Sequence, residues 1–331
     1  MPPSAGVAAA RRPRWAHALQ QNAGLVLAAG MLLAAVVLYA AVYYAGQGRM
    51  PGGFELTTTV NNTMPLVFAA VAQTCVVLTR GLDLSVGGVV DLSNALAAVL
   101  LGDSLASMVG WSAAIVGVGA LCGLVNGVLV AYGRLQPILV TLATLSIYQG
   151  VAIRVLPQPG GAVPPAYTDA LVNTAQPVAL LYAVLVVALW GAFRRTRLGV
   201  GLYAVGNDEA AAQANGVPAR RTKVAAYALG GALSAVAGLF LAATSTAGDA
   251  TTGNSYTLTS IVAVVLGGVN LFGGRGSAAG AVIGAFVTTM IVNVLFFARI
   301  DPLYQNFYEG LFLVVAVVAA GALGRLLRGR G

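Results

Sequence analysis

Ten apolar segments, separated by short polar or basic stretches, occupy almost the whole chain: 22–45, 60–79, 86–103, 109–131, 137–155, 176–193, 223–246, 256–272, 277–297 and 305–323. A helix that crosses a hydrocarbon core of about 30 Å needs about twenty such residues. The repetition therefore predicts an all-α polytopic membrane protein with about ten transmembrane helices. The segments at 86–103 and 256–272 are barely long enough, and Gly267-Gly268 interrupts the second. Only 8% of residues are charged, where a soluble domain carries about 25%. The first segment follows a basic arm but is longer than the 7–15 residues of a signal-peptide core, so it reads as a retained span.

The charges orient this arrangement. With ten spans and the N-terminus inside, the inner loops and tails hold fifteen of the eighteen bases, and only Arg49, Arg154 and Arg299 fall outside. Removing one span would invert every later loop and mix the two sets. The positive-inside rule thus favours ten spans with both termini cytoplasmic. The chain divides into a disordered basic arm at 1–21, a membrane domain at 22–323 and a basic tail at 324–331. The longest outer loop, 156–176, is small and rich in Pro and Gly. The net charge of +8 is spread between spans rather than gathered on one face, which argues against a nucleic-acid partner.

Several chemistries are missing. Lys223 is the only lysine and follows Arg221-Thr222, so the chain has no GxxxxGK[ST] phosphate cradle. The only histidine, His17, adjoins the basic arm, and no cluster has metal-ligand spacing. Cys75 and Cys122 both lie inside apolar segments, where packing is their expected role. The reading is a transport subunit, not an enzyme, with no cofactor. Asp83 and Asp91 are the ionisable groups nearest the bilayer interior. A structural role for Asp91, beside Asn94 or a neighbouring helix end, is preferred to proton coupling. Energy must then enter from a partner.

The central loop, 194–223, is where a partner would attach. It holds Arg194, Arg195, Arg197, Arg220, Arg221 and Lys223 around the polar stretch Gly206–Gly216. Asn207 or Asp208 is placed to cap a short helix through Ala210–Ala214, with acidic residues in its favourable first turn. Gly216 is placed to end that helix in a left-handed turn, and Pro218 prevents its continuation. Elsewhere small residues recur every four positions at Gly119/Gly123/Gly127, Gly230/Ser234/Gly238 and Gly276/Gly280/Gly284. Such stripes let helices pack closely in lipid.

Four stretches taken together carry a family resemblance: LTRGLDLSVGGVV at Leu78–Val90, RLQPILVTLATLSIYQGVA at Arg134–Ala152, AVGNDEAAAQANGV at Ala204–Val217 and LTSIVAVVLGGVNLFGGRGSAAGAVIGA at Leu258–Ala285. Their order and spacing resemble permease subunits of ribose-type (simple-sugar) ABC importers, and more distantly branched-chain amino acid permeases. The resemblance implies a homodimer in the bacterial inner membrane, served by an ABC ATPase subunit on the cytoplasmic face and by an extracytoplasmic sugar-binding protein. It assigns Gly206, Asn207, Asp208, Glu209, Ala211, Ala212, Asn215 and Gly216 to the segment that touches the ATPase. It also places two turns at the cytoplasmic end of the pathway: Gly81, Asp83, Ser85 and Gly87 in one, and Gly273, Gly274, Arg275, Gly276 and Ser277 in the other. Asp83 or Ser85, and Ser277, are candidate caps for the helices that follow.

Three positions depart from the family pattern. Arg80 stands where glycine is common, Gln73 where an apolar residue is common, and Asp91 where the family is small or apolar. Asn62, Gln73, Asn94, Thr141, Gln149 and Asn293 are the candidate groups along a path for a polyhydroxylated solute, although helix-to-helix hydrogen bonds explain any one of them equally well. The expected function is translocation of a pentose, hexose or related small polar solute by alternating access. The competing expectations are an ion-coupled transporter using Asp91, or an ABC permease for amino acids or nucleosides.

Overall fold

A computed structural model describes residues 23–301 continuously and, beyond them, only Tyr304, Phe307, Gly310, Leu311, Val314 and Val318. The basic arm, the tail and most of the tenth apolar segment lie outside the described residues. Helices α1 (Ala23–Gln47), α2 (Gly53–Val77), α3 (Val86–Leu100), α4 (Leu105–Ala131), α5 (Pro137–Val155), α6 (Pro165–Val172), α7 (Val178–Phe193), α8 (Arg197–Asn207), α9 (Glu209–Ala214), α10 (Ala219–Ser245), α11 (Ser255–Leu266) and α12 (Ala278–Phe297) follow in order. One 3₁₀ turn, Thr252–Asn254, precedes α11. Among the described residues the only β pairing is an isolated bridge between Gly160 and Gly248.

Six of these helices (α1, α2, α4, α5, α10 and α12) are long and apolar enough to cross a membrane, and α7 with α8 makes a seventh if that bent pair is one span. The bend between α7 and α8 is 80°. Ten full-length spans are thus more than the described residues contain. The shortfall falls where the sequence was weakest. Helix α3 stops at Leu100, and α11 stops at Leu266, before Gly267-Gly268. Two stretches expected as loops contain helices: α6 lies within 156–176, and α8 occupies the first part of 194–223.

Helix α2 lies at the centre, with almost every residue from Thr57 onward buried. It packs on α10, α12 and α11, while α10 also packs against α4 and α3. In lipid no hydrophobic force drives helices together, so close van der Waals contact must do so, and that needs small residues at the crossings. The four-residue stripes supply them within this one chain. A Cβ on Gly123 would run into the Tyr227 carbonyl of α10. Gly267, just after α11, and Gly280 of α12 are also in mutual contact. Helix α1 packs mainly on α12, where Tyr39, Tyr43 and Phe297 form an aromatic cluster. Gly24, near its start, rests on the backbone of Gly268.

Candidate functional site

The stretch after α7 builds a rigid surface element. Thr196 Oγ1 accepts from Gly199 N at 3.1 Å and starts α8, which buries Gly199, Gly201, Leu202, Val205 and Gly206 along one face. Asp208 then caps α9, its Oδ1 accepting from Ala211 N at 2.9 Å. Of the two caps the sequence allowed, the structure uses this one. Gly216 adopts φ +81, a conformation that favours glycine, and its N–H and that of Val217 close the helix on the Gln213 and Ala212 carbonyls. Ala212 is buried with Val205 and Ala219. Lys223 Nζ donates to Glu209 Oε2 at 2.6 Å and ties α9 to α10. Among the eight residues expected at the partner surface, Asn207, Asp208, Ala211, Asn215 and Gly216 are exposed, and Glu209 is half-buried. Gly206 and Ala212 are buried, so they support the segment rather than present a surface.

This element is fastened to both expected turns. Gly206 lies against the Leu78 carbonyl and the Gly274 N–H, with no room for a Cβ. Asn207 Nδ2 donates to the Gly274 carbonyl at 3.3 Å, and Gly274 N donates to Leu78 O at 3.1 Å. Tyr203 Oη donates to the Gly276 carbonyl at 2.8 Å. Arg80, at φ +63, sends Nε to Gly206 O at 2.8 Å and Nη2 to Asn207 O at 2.6 Å. The structure therefore brings the segment Gly206–Gly216 and the two turns into one hub.

The hub belongs to a recognisable kind of protein. Residues 56–320 match the family model described as "Branched-chain amino acid transport system / permease component". The chain belongs to this permease family. It is 33% identical over 271 residues to the ribose import permease protein RbsC of Escherichia coli K12, covering 79% of this chain and 82% of that one. It is 36% identical over 269 residues to the autoinducer 2 import system permease protein LsrC of Enterobacter sp. strain 638, covering 79% and 77%. A third relative, RbsC of Bacillus subtilis 168, is 35% identical over 269 residues, with 75% and 79% covered. No solved structure matches the chain significantly.

In this permease the GLDLS turn is held from four helices. The Gln73 amide of α2, oriented to suit its neighbours, donates to Asp83 O at 3.0 Å and accepts from Asp83 N at 3.3 Å. Asp83 Oδ1 accepts from Ser85 N at 2.8 Å and Ser85 Oγ at 2.6 Å. That is a local turn rather than a helix cap. Ser85 sits at the cap position of α3 without a side-chain cap bond, and Asn126 Nδ2 of α4 donates to its Oγ at 2.8 Å. Thr141 Oγ1 of α5 accepts from Leu84 N at 3.0 Å, and Tyr227 Oη of α10 lies 3.5 Å from the Leu82 carbonyl. In the GGRGS turn, Gly273, Gly274 and Gly276 all have positive φ, Arg275 is exposed, and Ser277 Oγ caps α12 by accepting from Gly280 N.

A second polar cluster lies along α3. Asn94 Oδ1 accepts from Asp249 N at 2.7 Å, and Asp91 Oδ1 accepts from Gly253 N at 2.6 Å, in the 3₁₀ turn before α11. The connection 246–254 forms a strap between α10 and α11, and Gly87 packs on Gly253 of this strap and on Thr257 of α11. The Thr251 hydroxyl and N–H bond the Asp249 carboxylate and hold it below the ordinary aspartate range. The six candidate path residues do not converge on one site. Gln73 and Thr141 brace the GLDLS turn, Asn94 braces the strap, and Asn293 Nδ2 bonds Thr59 Oγ1 at 3.1 Å between α12 and α2. Asn62 is exposed and Gln149 half-buried on separate helices. Sequence reasoning missed Asn126, Tyr203 and Tyr227. Asn126 and Tyr227 are polar groups in apolar helices, a signal applied to other residues and available for these, whereas Tyr203 lies in the stretch expected as a loop.

Proposed function

We propose that this permease is the membrane subunit of an ATP-driven ABC importer for a simple sugar or related small polar solute, working as a homodimer in the bacterial inner membrane. The observation that carries the reading is the hub. An exposed, capped surface helix, α9, is joined within a few residues to two turns that precede α3 and α12. A partner that pushes on α9 and α8 moves the turns with them, because Gly206 leaves no slack against Leu78 and Gly274. The names of the relatives, ribose and autoinducer 2 import permeases, support a small polyhydroxylated cargo.

The topology follows the charge distribution: ten membrane-crossing segments, with α3, α7 and α11 as short ones, and both termini in the cytoplasm. The hub is then cytoplasmic and meets the ATPase subunit. The Gly160–Gly248 bridge lies on the opposite face, where a sugar-loaded binding protein would dock. Asn207, Asp208, Glu209, Ala211, Asn215 and Gly216 form the contact, and Gly206 and Ala212 set its posture. A conformational change driven by the partner requires that partner to bind the two states unequally, and a stiff lever supplies that difference. The glycine-rich turns, Gly81–Gly87 and Gly273–Ser277, move at the inner end of the path.

The test is uptake into vesicles. The isolated chain should accumulate no D-ribose against a gradient under ATP or an imposed ion gradient. Together with its ATPase and binding protein it should concentrate its solute only when ATP is hydrolysed. Ion-driven accumulation by the isolated chain, lost in Asp91→Asn, would replace this reading with secondary transport.

A further inference from the structure

Arg80 is the side chain that joins the start of the GLDLS turn directly to the end of α8, beside the Asn207 and Tyr203 bonds that join α8 to the GGRGS turn. Its backbone begins the GLDLS turn in a left-handed conformation, φ +63. That conformation costs a non-glycine residue roughly 1–2 kcal/mol, so the position tolerates arginine at a cost and would suit glycine. Its stem crosses the second turn, where a Cβ on Gly273 would lie 2.6 Å from Arg80 Cγ. Its guanidinium ends on the coupling segment, with Nε on the Gly206 carbonyl and Nη2 on the Asn207 carbonyl. Those two carbonyls close α8, the negative end of its dipole, where a fixed cation is favoured. The planar guanidinium reaches both at once, which a lysine ammonium cannot do in the same geometry.

We infer that Arg80 is a positioning residue for energy transmission: it carries displacement of the coupling segment to the GLDLS turn, and it acts through its side chain. The inference rests on the reading of the chain as an ATP-driven permease. Leu78 and Gly274 hold Gly206 by backbone contact alone, which resists compression. Asn207 and Tyr203 bond α8 to the GGRGS turn, and the guanidinium adds the direct side-chain link that resists separation of α8 from the GLDLS turn, so the two move together in both directions of the cycle.

Arg80→Gly removes the link while relaxing the backbone, so the variant should fold at least as well as the parent. The experiment uses the full chain reconstituted with its ATPase subunits in lipid nanodiscs, with Cys75 and Cys122 replaced by alanine. A spin label at Ala106, exposed at the start of α4 and far from the hub, is placed in each permease copy. In the parent, ATP with vanadate should change the distance between the two labels. In Arg80→Gly the ATPase should still co-purify in full and ATP should still be hydrolysed, while the distance change falls to less than half. A full distance change in Arg80→Gly overturns the inference. So does loss of ATPase co-purification or a lowered melting temperature, because either would make Arg80 a docking or folding residue. A parent that shows no change with ATP overturns the ATP-driven reading itself.

Discussion

The hub and the α3 strap are both polar arrangements in an apolar protein, yet they are built from opposite materials. The hub is partly exposed and depends on backbone shape: positive φ at Arg80, Gly216, Gly273, Gly274 and Gly276, with an ion pair and a guanidinium at its edge. The strap is held by the buried side chains Asp91 and Asn94, each accepting one N–H from a chain segment that has no helix partner for it. Water can replace a lost bond at the exposed edge of the hub, as at the Asp208 cap, but not at the buried bond from Gly253 N to Asp91. Backbone groups orphaned away from water cost about 1–3 kcal/mol each, whereas an exposed ion pair contributes only about 0–1 kcal/mol. The first kind of contact is weak and replaceable; the second kind is not.

The largest effect belongs to the packing beneath both regions. Gly123→Leu drives a side chain into the Tyr227 backbone, and overpacking of this kind costs about 1–3 kcal/mol or more. It should abolish accumulation of folded protein, read by size-exclusion chromatography in detergent. Next is Asp91→Ala, which leaves the Gly253 N–H without a partner and should destabilise by about 1–3 kcal/mol. Asp91→Asn keeps an acceptor and should melt close to the parent. Equal melting of the Ala and Asn variants would dissolve the contrast between the two regions. Third, Asp208→Ala removes the cap of α9 at a cost of about 1 kcal/mol, and Asp208→Ser should restore it. The expected signature is faster hydrogen exchange in α9 with little change in global melting. The smallest effect is that of Glu209→Gln, which keeps an acceptor for Lys223 but loses the charge of the pair, at about 0–1 kcal/mol. Its melting should become insensitive to salt to the extent that the parent's is sensitive. Reversing Asp208 and Glu209 together, the change that charge alone suggests, would combine a lost cap with a lost ion pair, so it cannot isolate a partner contact.

Hydropathy located the long helices because six of them each hold an 18-residue window that is mostly apolar, and it identified α3 and α11 as marginal in length. It did not find α8. Its glycines, Gly199, Gly201 and Gly206, lower helix propensity, and only the tertiary contacts of that face explain why glycine is needed there. The capped turn of α9 was legible from Asp208, Gly216 and Pro218 because caps are local chemistry. The joining of the hub was not legible, since Arg80 and Gly206 are 126 positions apart. The polar residues in the helices mark a similar boundary. Gln73, Thr141 and Asn94 were visible as buried polarity, but composition cannot tell a side chain that greets a solute from one that holds a neighbouring turn.

Helix α1 begins before the stretch that matches the permease family, yet Gly24 sits on Gly268, where α11 has broken off and its backbone is irregular. Hydrocarbon offers no partner to such a backbone. At that break the Gly267, Gly268 and Val269 N–H groups bond the Ala263, Val265 and Val264 carbonyls, so the protein satisfies its own backbone there and the first helix adds only close contact. A shortened chain starting after Gln47 would lose the contacts of α1 with α12 and Gly268 even though every family motif remained in place.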